Sequence, residues 1–157
     1  MKSHSPPSRR DVLKAGAFAV AVPFASRVSW ASGSPMQKLQ YAPVAVAGRG
    51  GADISSISRH EKIRVVAGAD VDAKALEKFT PQHKDARAFS DWREMLDKMG
   101  KSIDVVSVST PDHMHGIISM SAMNMKKHVY VQKPLAQNIG ECRAMLASAQ
   151  RNKVVVQ

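Results

Sequence analysis

A chain of 157 residues, 44% hydrophobic and 23% charged, has the composition of an ordinary globular domain with one core, which excludes collagen-like, low-complexity and disordered classes. Its formal charge of +10 raises nucleic acid as a partner, but residues 1–31 hold five Lys/Arg and one Asp, and the remainder holds 18 basic against 12 acidic residues. Those charges are scattered rather than gathered in a stripe and aromatics for base stacking are few, so we expect no nucleic acid; a mild basic excess suits an anionic cofactor.

In chain order, the first segment reads as an address. Ser8-Arg9-Arg10-Asp11-Val12-Leu13-Lys14 resembles the twin-arginine export motif, with Val12 where an aromatic is usual. An apolar run from Ala15 to Phe24 is too short to span a bilayer, and Ser29-Trp30-Ala31 offers a small-x-small cleavage site. The expectation is a leader over 1–31, no stable membrane anchor and a periplasmic or other extracytoplasmic destination. A linker over 32–42 follows, then one domain over 43–157. The single Cys142 cannot form an internal disulfide.

Within the domain, strands are expected at Pro43–Ala47, Ile63–Ala69, Ile103–Ser107, His128–Val131 and Val154–Val156. Helices are expected at Ile54–Arg59, Ala73–Phe79, Ser90–Met99, His115–Met125 and Ile139–Asn152. Continuous Val/Ile/Ala strands alternating with helices predict an α/β, Rossmann-like doubly wound parallel sheet, with its ligand at the carboxyl ends of the strands. The methionines at 114, 120, 123 and 125 fit core packing better than a soft-metal stripe, and no metal site is expected.

The chemistry concentrates in Val44-Ala-Val-Ala-Gly-Arg-Gly-Gly-Ala-Asp53. An apolar run into a glycine cluster, with a second apolar run ending at Asp70, outlines a dinucleotide site. The glycines let the backbone approach a pyrophosphate, the helix N-terminus faces it, and Asp70 accepts from ribose hydroxyls. Gly48 and Gly50 fit the first two positions of G-x-G-x-x-G, Asp53 stands at the third, and Gly51 compensates in part. Arg49 lies inside the turn.

Further blocks follow: Ala69-Asp-Val-Asp72, Phe89-Ser-Asp-Trp-Arg-Glu-Met-Leu96, Ile103 through Ser109-Thr110-Pro111-Asp112-His113-Met114-His115, and His128-Val-Tyr-Val-Gln132-Lys133-Pro134-Leu135. In this order and spacing the chain resembles the Gfo/Idh/MocA oxidoreductases from Pro43 to Gln157. The resemblance implies a bound dinucleotide, NAD rather than NADP because the Asp70 carboxylate would repel an added phosphate, and a sugar or polyol substrate. Thr110 and Pro111 match the turn against the nicotinamide half, with His113 and Gln132 among the cofactor contacts. Lys133 is the leading catalytic candidate: its ammonium would hydrogen-bond a sugar oxygen. The family usually carries Glu where this chain has Gln132. His113 and His115, two apart at a helix start, can both face solvent, and His115 is the second catalytic candidate. Asp72 is better placed than Asp70 to cap the next helix, and Asp112 can cap the helix after it.

Members of the family continue into a second α/β domain that binds substrate, supplies an acid/base pair and forms the oligomer interface. The expectation is therefore an NAD-binding half, incomplete for catalysis alone and oligomeric only with that domain. The resemblance also admits an NAD-dependent glycosidase or a non-catalytic dinucleotide-binding module.

Overall fold

The computed structural model describes residues 38–157. The expected leader, and the part of the linker before residue 38, lie outside them.

A parallel sheet forms the centre. Its strands are β1 (Leu39–Val44), β2 (Ile63–Val65), β3 (Ala67–Ala69), β4 (Arg87–Phe89), β5 (Val105–Val108) and β6 (His128–Val131). The order across the sheet is β4-β3-β1-β5-β6, with β2 also pairing β1. The helices are α1 (Gly48–Ile57), α2 (Ala73–Gln82), α3 (Trp92–Met99), α4 (His115–Asn124) and α5 (Ile139–Asn152). Tyr41, Val46, Ile54, Ala75 and Phe79 form one apolar cluster with α1 and α2. A larger one joins Met95, Val106, Ile118, Met123 and Met145 with α3, α4 and α5. Both faces of the sheet are thereby covered, the condition that lets parallel strands be apolar throughout.

The expected Ile63–Ala69 strand is divided at Val66, for a reason that lies in β1. Tyr41 O accepts from Val66 N at 2.9 Å and Ala45 N donates to Ala69 O at 2.8 Å, so alternate β1 residues serve this side of the ladder. Pro43 falls between them and has no N–H to give, and the pairing lapses there.

Other boundaries move. β1 begins at Leu39, taking four residues from the expected linker, and ends at Val44 rather than Ala47. α1 begins at Gly48, six residues before the expected Ile54. β4 was not expected, and the last expected strand is reduced to one parallel bridge, Val129 to Val156. Met123 is buried, Met114 and Met120 pack against the core, and Met125 is 40% exposed.

Candidate functional site

β1 is flanked by β3 on one side and β5 on the other, so the chain reverses its winding at the carboxyl end of β1. Crevices at such switch points hold the ligands of open α/β sheets. Here the crevice is bounded by the end of β1 and its turn, the end of β3, the start of α3 and the loop after β5.

The turn corrects the expected register. Ala45, directly after β1, has φ +73°, the left-handed conformation for which glycine is suited. A Cβ at Gly50 would lie 2.1 Å from the Ala45 carbonyl oxygen, so only glycine lets α1 approach β1 there. The tight-turn and close-packing positions of G-x-G-x-x-G are therefore 45 and 50, with Ala47 between them, and not 48, 50 and 53. Ala47 is the N-cap of α1 and makes no side-chain cap, leaving the first N–H groups of the helix without a side-chain acceptor. A Cβ at Gly48 would meet nothing within 4 Å, so the turn is open on that side. Gly51 N bonds Ala47 O at 3.2 Å within the first turn of the helix.

Asp70 closes the second side. Its carboxylate accepts from Val46 N at 2.8 Å and from Asp72 N at 3.0 Å, which pins the glycine turn to the end of β3. Asp72, as expected, caps α2 by accepting from Lys74 N at 2.9 Å. Asp112 makes no such cap: Asp112–Met114 form a 3-10 turn and Met114 is the N-cap of α4.

Asp70, Thr110, Pro111 and His113 share the wall of a cavity of about 400 Å³ with Ala45 and Trp92. Two polar atoms among these residues, Thr110 Oγ1 and Trp92 Nε1, are buried and have no hydrogen-bond partner among the described residues. Buried orphan donors beside a cavity are what a polar ligand would satisfy.

His115 does not face solvent as expected. It is 1% exposed, with Nδ1 2.6 Å from Pro134 O and Nε2 2.8 Å from Thr110 O. Each ring nitrogen lies within hydrogen-bond distance of a backbone carbonyl, so the buried ring bridges the loop after β6 and the loop after β5, donating to one of the two according to its tautomer. His113 is exposed. Lys133 is also exposed, precedes a cis Pro134, and its ammonium forms no ion pair among the described residues.

Gln132 turns inward. Its Nε2 donates to both oxygens of Asp53, at 3.0 and 2.9 Å. Asp53 also accepts from Ser109 Oγ at 2.8 Å and pairs with Arg49 at 3.1 Å. Beneath them Tyr41 and Ser107 share a hydrogen bond of 2.5 Å. Burial pushes the Tyr41 phenol well above its ordinary range; the Ser107 hydrogen bond opposes this and the Asp53 carboxylate adds to it. Sequence reasoning missed Asp53 and Ser109 as a pair, 56 residues apart, and took Asp53 for a misplaced glycine.

The profile of the Gfo/Idh/MocA oxidoreductase family, NAD-binding Rossmann fold, matches residues 43–157. The chain is 34% identical over 94 residues to trans-1,2-dihydrobenzene-1,2-diol dehydrogenase of Danio rerio, covering 60% of this chain and 28% of that one. It is 31% identical over 103 residues to the NADP(+) scyllo-inositol 2-dehydrogenase IolU of Bacillus subtilis, covering 66% and 31%. It thus spans less than a third of the length of these curated relatives. Among solved structures, GenD2 from gentamicin A biosynthesis in complex with NAD superposes with a TM-score of 0.71 at 25% identity, covering 79% of this chain and 35% of that one. The WlbA dehydrogenase of Chromobacterium violaceum, in complex with NADH and UDP-GlcNAcA, shares the fold with a TM-score of 0.72 at 21% identity, covering 78% and 35%. With its parallel sheet, its switch-point crevice and a family profile matched from Pro43 to Gln157, the chain belongs to the Gfo/Idh/MocA oxidoreductase family with an NAD-binding Rossmann fold.

Proposed function

We propose that residues 43–157 form the NAD-binding half of a sugar or polyol oxidoreductase. The observation that carries this reading is Asp70, a carboxylate at the end of β3 that is tied to the glycine turn through Val46 N and lines the cavity beside Thr110 and Pro111. A carboxylate there accepts from the adenosine ribose hydroxyls and repels the additional phosphate of NADP. The open side of Gly48 and the free N–H groups at the start of α1 suit a pyrophosphate, and Arg49 adds positive charge beside it. The orphan Thr110 hydroxyl and Trp92 indole N–H suit polar atoms of the same ligand. A bound nicotinamide would supply hydride chemistry. The role of Lys133 is to donate a hydrogen bond to a substrate oxygen and stabilise charge as it develops there. Substrate choice belongs to the remaining length by which the relatives exceed this chain.

Isothermal titration of the full chain with NADH and NADPH tests the cofactor reading: NADH should bind more tightly, and equal or reversed affinity would refute the role given to Asp70. Formation of NADH from inositols and hexoses with NAD tests the substrate class; with aryl glycosides in their place, release of the aglycone without net NADH would point to the glycosidase chemistry instead.

We also propose export through Arg9-Arg10. A reporter fused after residue 40 should reach the periplasm of a bacterial host and remain inside when both arginines become lysine; unchanged export of that variant would refute it.

A further inference from the structure

Asp53 is a charged side chain only 5% exposed, and nothing in the cofactor reading uses it. An isolated carboxylate would not be buried; this one is held by donors from three directions. Arg49, one turn earlier in α1, pairs with Oδ1 at 3.1 Å. Ser109 Oγ, next to Thr110 in the loop after β5, donates to Oδ2 at 2.8 Å. Gln132 Nε2, next to Lys133 in the loop after β6, reaches both oxygens at 3.0 and 2.9 Å. The other end of the same amide is committed as well: Gln132 Oε1 accepts from Lys133 N at 3.3 Å. The amide is therefore read in one orientation, nitrogen toward Asp53 and oxygen toward the chain.

We propose that Asp53 is a positioning residue that locks α1 and the loops carrying Thr110 and Lys133 into one frame, and that it dictates an amide at position 132. This rests on the dinucleotide reading of the crevice, because α1 begins at its glycine turn and Thr110, next to Ser109, lines its cavity. The polarity follows from donor counting. A carboxylate at 132 offers no N–H, and would stand about 3 Å from the oxygens of the buried Asp53. An exchange of the two groups restores the match. With asparagine at position 53 and glutamate at position 132, the helix now supplies the amide N–H and the loop supplies the carboxylate that accepts it. The asparagine oxygen still accepts from Ser109 or Arg49, and the new carboxylate still accepts from Lys133 N.

The test is a double-mutant cycle in the full chain with Asp53→Asn, Gln132→Glu and the two combined. NADH affinity is read by titration, and stability without NADH by the urea midpoint. Each single variant should weaken NADH binding roughly tenfold and lower the midpoint, and the double variant should return to within about threefold of the parent. That recovery is one that a packing role would not give. Single variants that bind like the parent, or a double variant as weak as the two losses combined, would overturn the proposal. A parent chain that binds no NADH would overturn the dinucleotide reading and the positioning role with it. The midpoints measured without cofactor then decide separately whether 53 and 132 are paired.

Discussion

Replacing Ala45 with glycine should stabilise the protein, against the usual direction of such a change. At φ +73° a residue with a Cβ sits in the left-handed region, at a cost of about 1–2 kcal/mol. Glycine removes that cost but gains freedom in the unfolded chain, which takes back roughly 0.5–1 kcal/mol. The methyl of Ala45 is half-buried, so little packing is lost. The net is a stabilisation of about 0.5–1 kcal/mol, or a Tm rise of roughly 2–5 °C for a domain of this size. Gly50→Ala is the opposing arm: its Cβ would stand 2.1 Å from the Ala45 carbonyl oxygen and 2.7 Å from its carbonyl carbon, backbone atoms that cannot swing aside. Prising α1 from β1 should cost about 3 kcal/mol. Urea unfolding followed by circular dichroism measures both. A destabilised Ala45→Gly, or a neutral Gly50→Ala, would refute the register assigned to this turn.

His115→Phe keeps the bulk of the strap but removes both ring nitrogens, so the carbonyl of Thr110 or Pro134 that accepts from the ring loses its donor; it should cost about 1–3 kcal/mol in urea unfolding, and a loss below about 0.5 kcal/mol would show the strap to be incidental. Asp70→Asn keeps an acceptor but discards the charge, so NADPH affinity should rise relative to NADH by roughly tenfold in paired titrations; an unchanged ratio would place discrimination elsewhere. Burial holds His83, beside the Phe79 ring, below its ordinary value of 6.5. The unfolded chain therefore takes up that proton first, so the contribution of His83 is complete above about pH 6.5 and declines as pH falls below it. His83→Gln should flatten this part of the stability profile between pH 7 and 5, and an identical profile in the variant would assign the slope to other groups.

What could be read from the sequence follows from what each residue needs for its role. The strand core Val105–Ser107 and the cap Asp72 depend on near neighbours, and local pattern revealed them. Asp70 was legible because an acid after an apolar run has a fixed place relative to the glycine turn. The glycine register was misread because glycines at 48 and 50 drew attention from Ala45, whose left-handed φ is imposed by the sheet rather than by its own preference. The start of α1 was hidden by the same residues: glycine disfavours helix, and packing against β1 overrides that preference. β4, only Arg87-Ala88-Phe89, is too short for any period to register. The burial of His115 and the gathering of donors on Asp53 depend on loops that meet only after the sheet is wound, and nothing in the local spacing encodes them.

The arrangement around Asp53 also limits how this sequence can change over time. Gln132→Glu would set two like charges together, and Asp53→Asn would take away one of the two oxygens that Gln132, Ser109 and Arg49 share, so each substitution alone passes through a handicapped protein. Positions 53 and 132 are thus expected to be inherited as a unit, one acid and one amide, with the sign of the partnership free to reverse only when both change. A lineage that places its acid beside the lysine has then had to give up the acid in the helix. Surveyed across a family tree, the two residues would mark a single ancestral event.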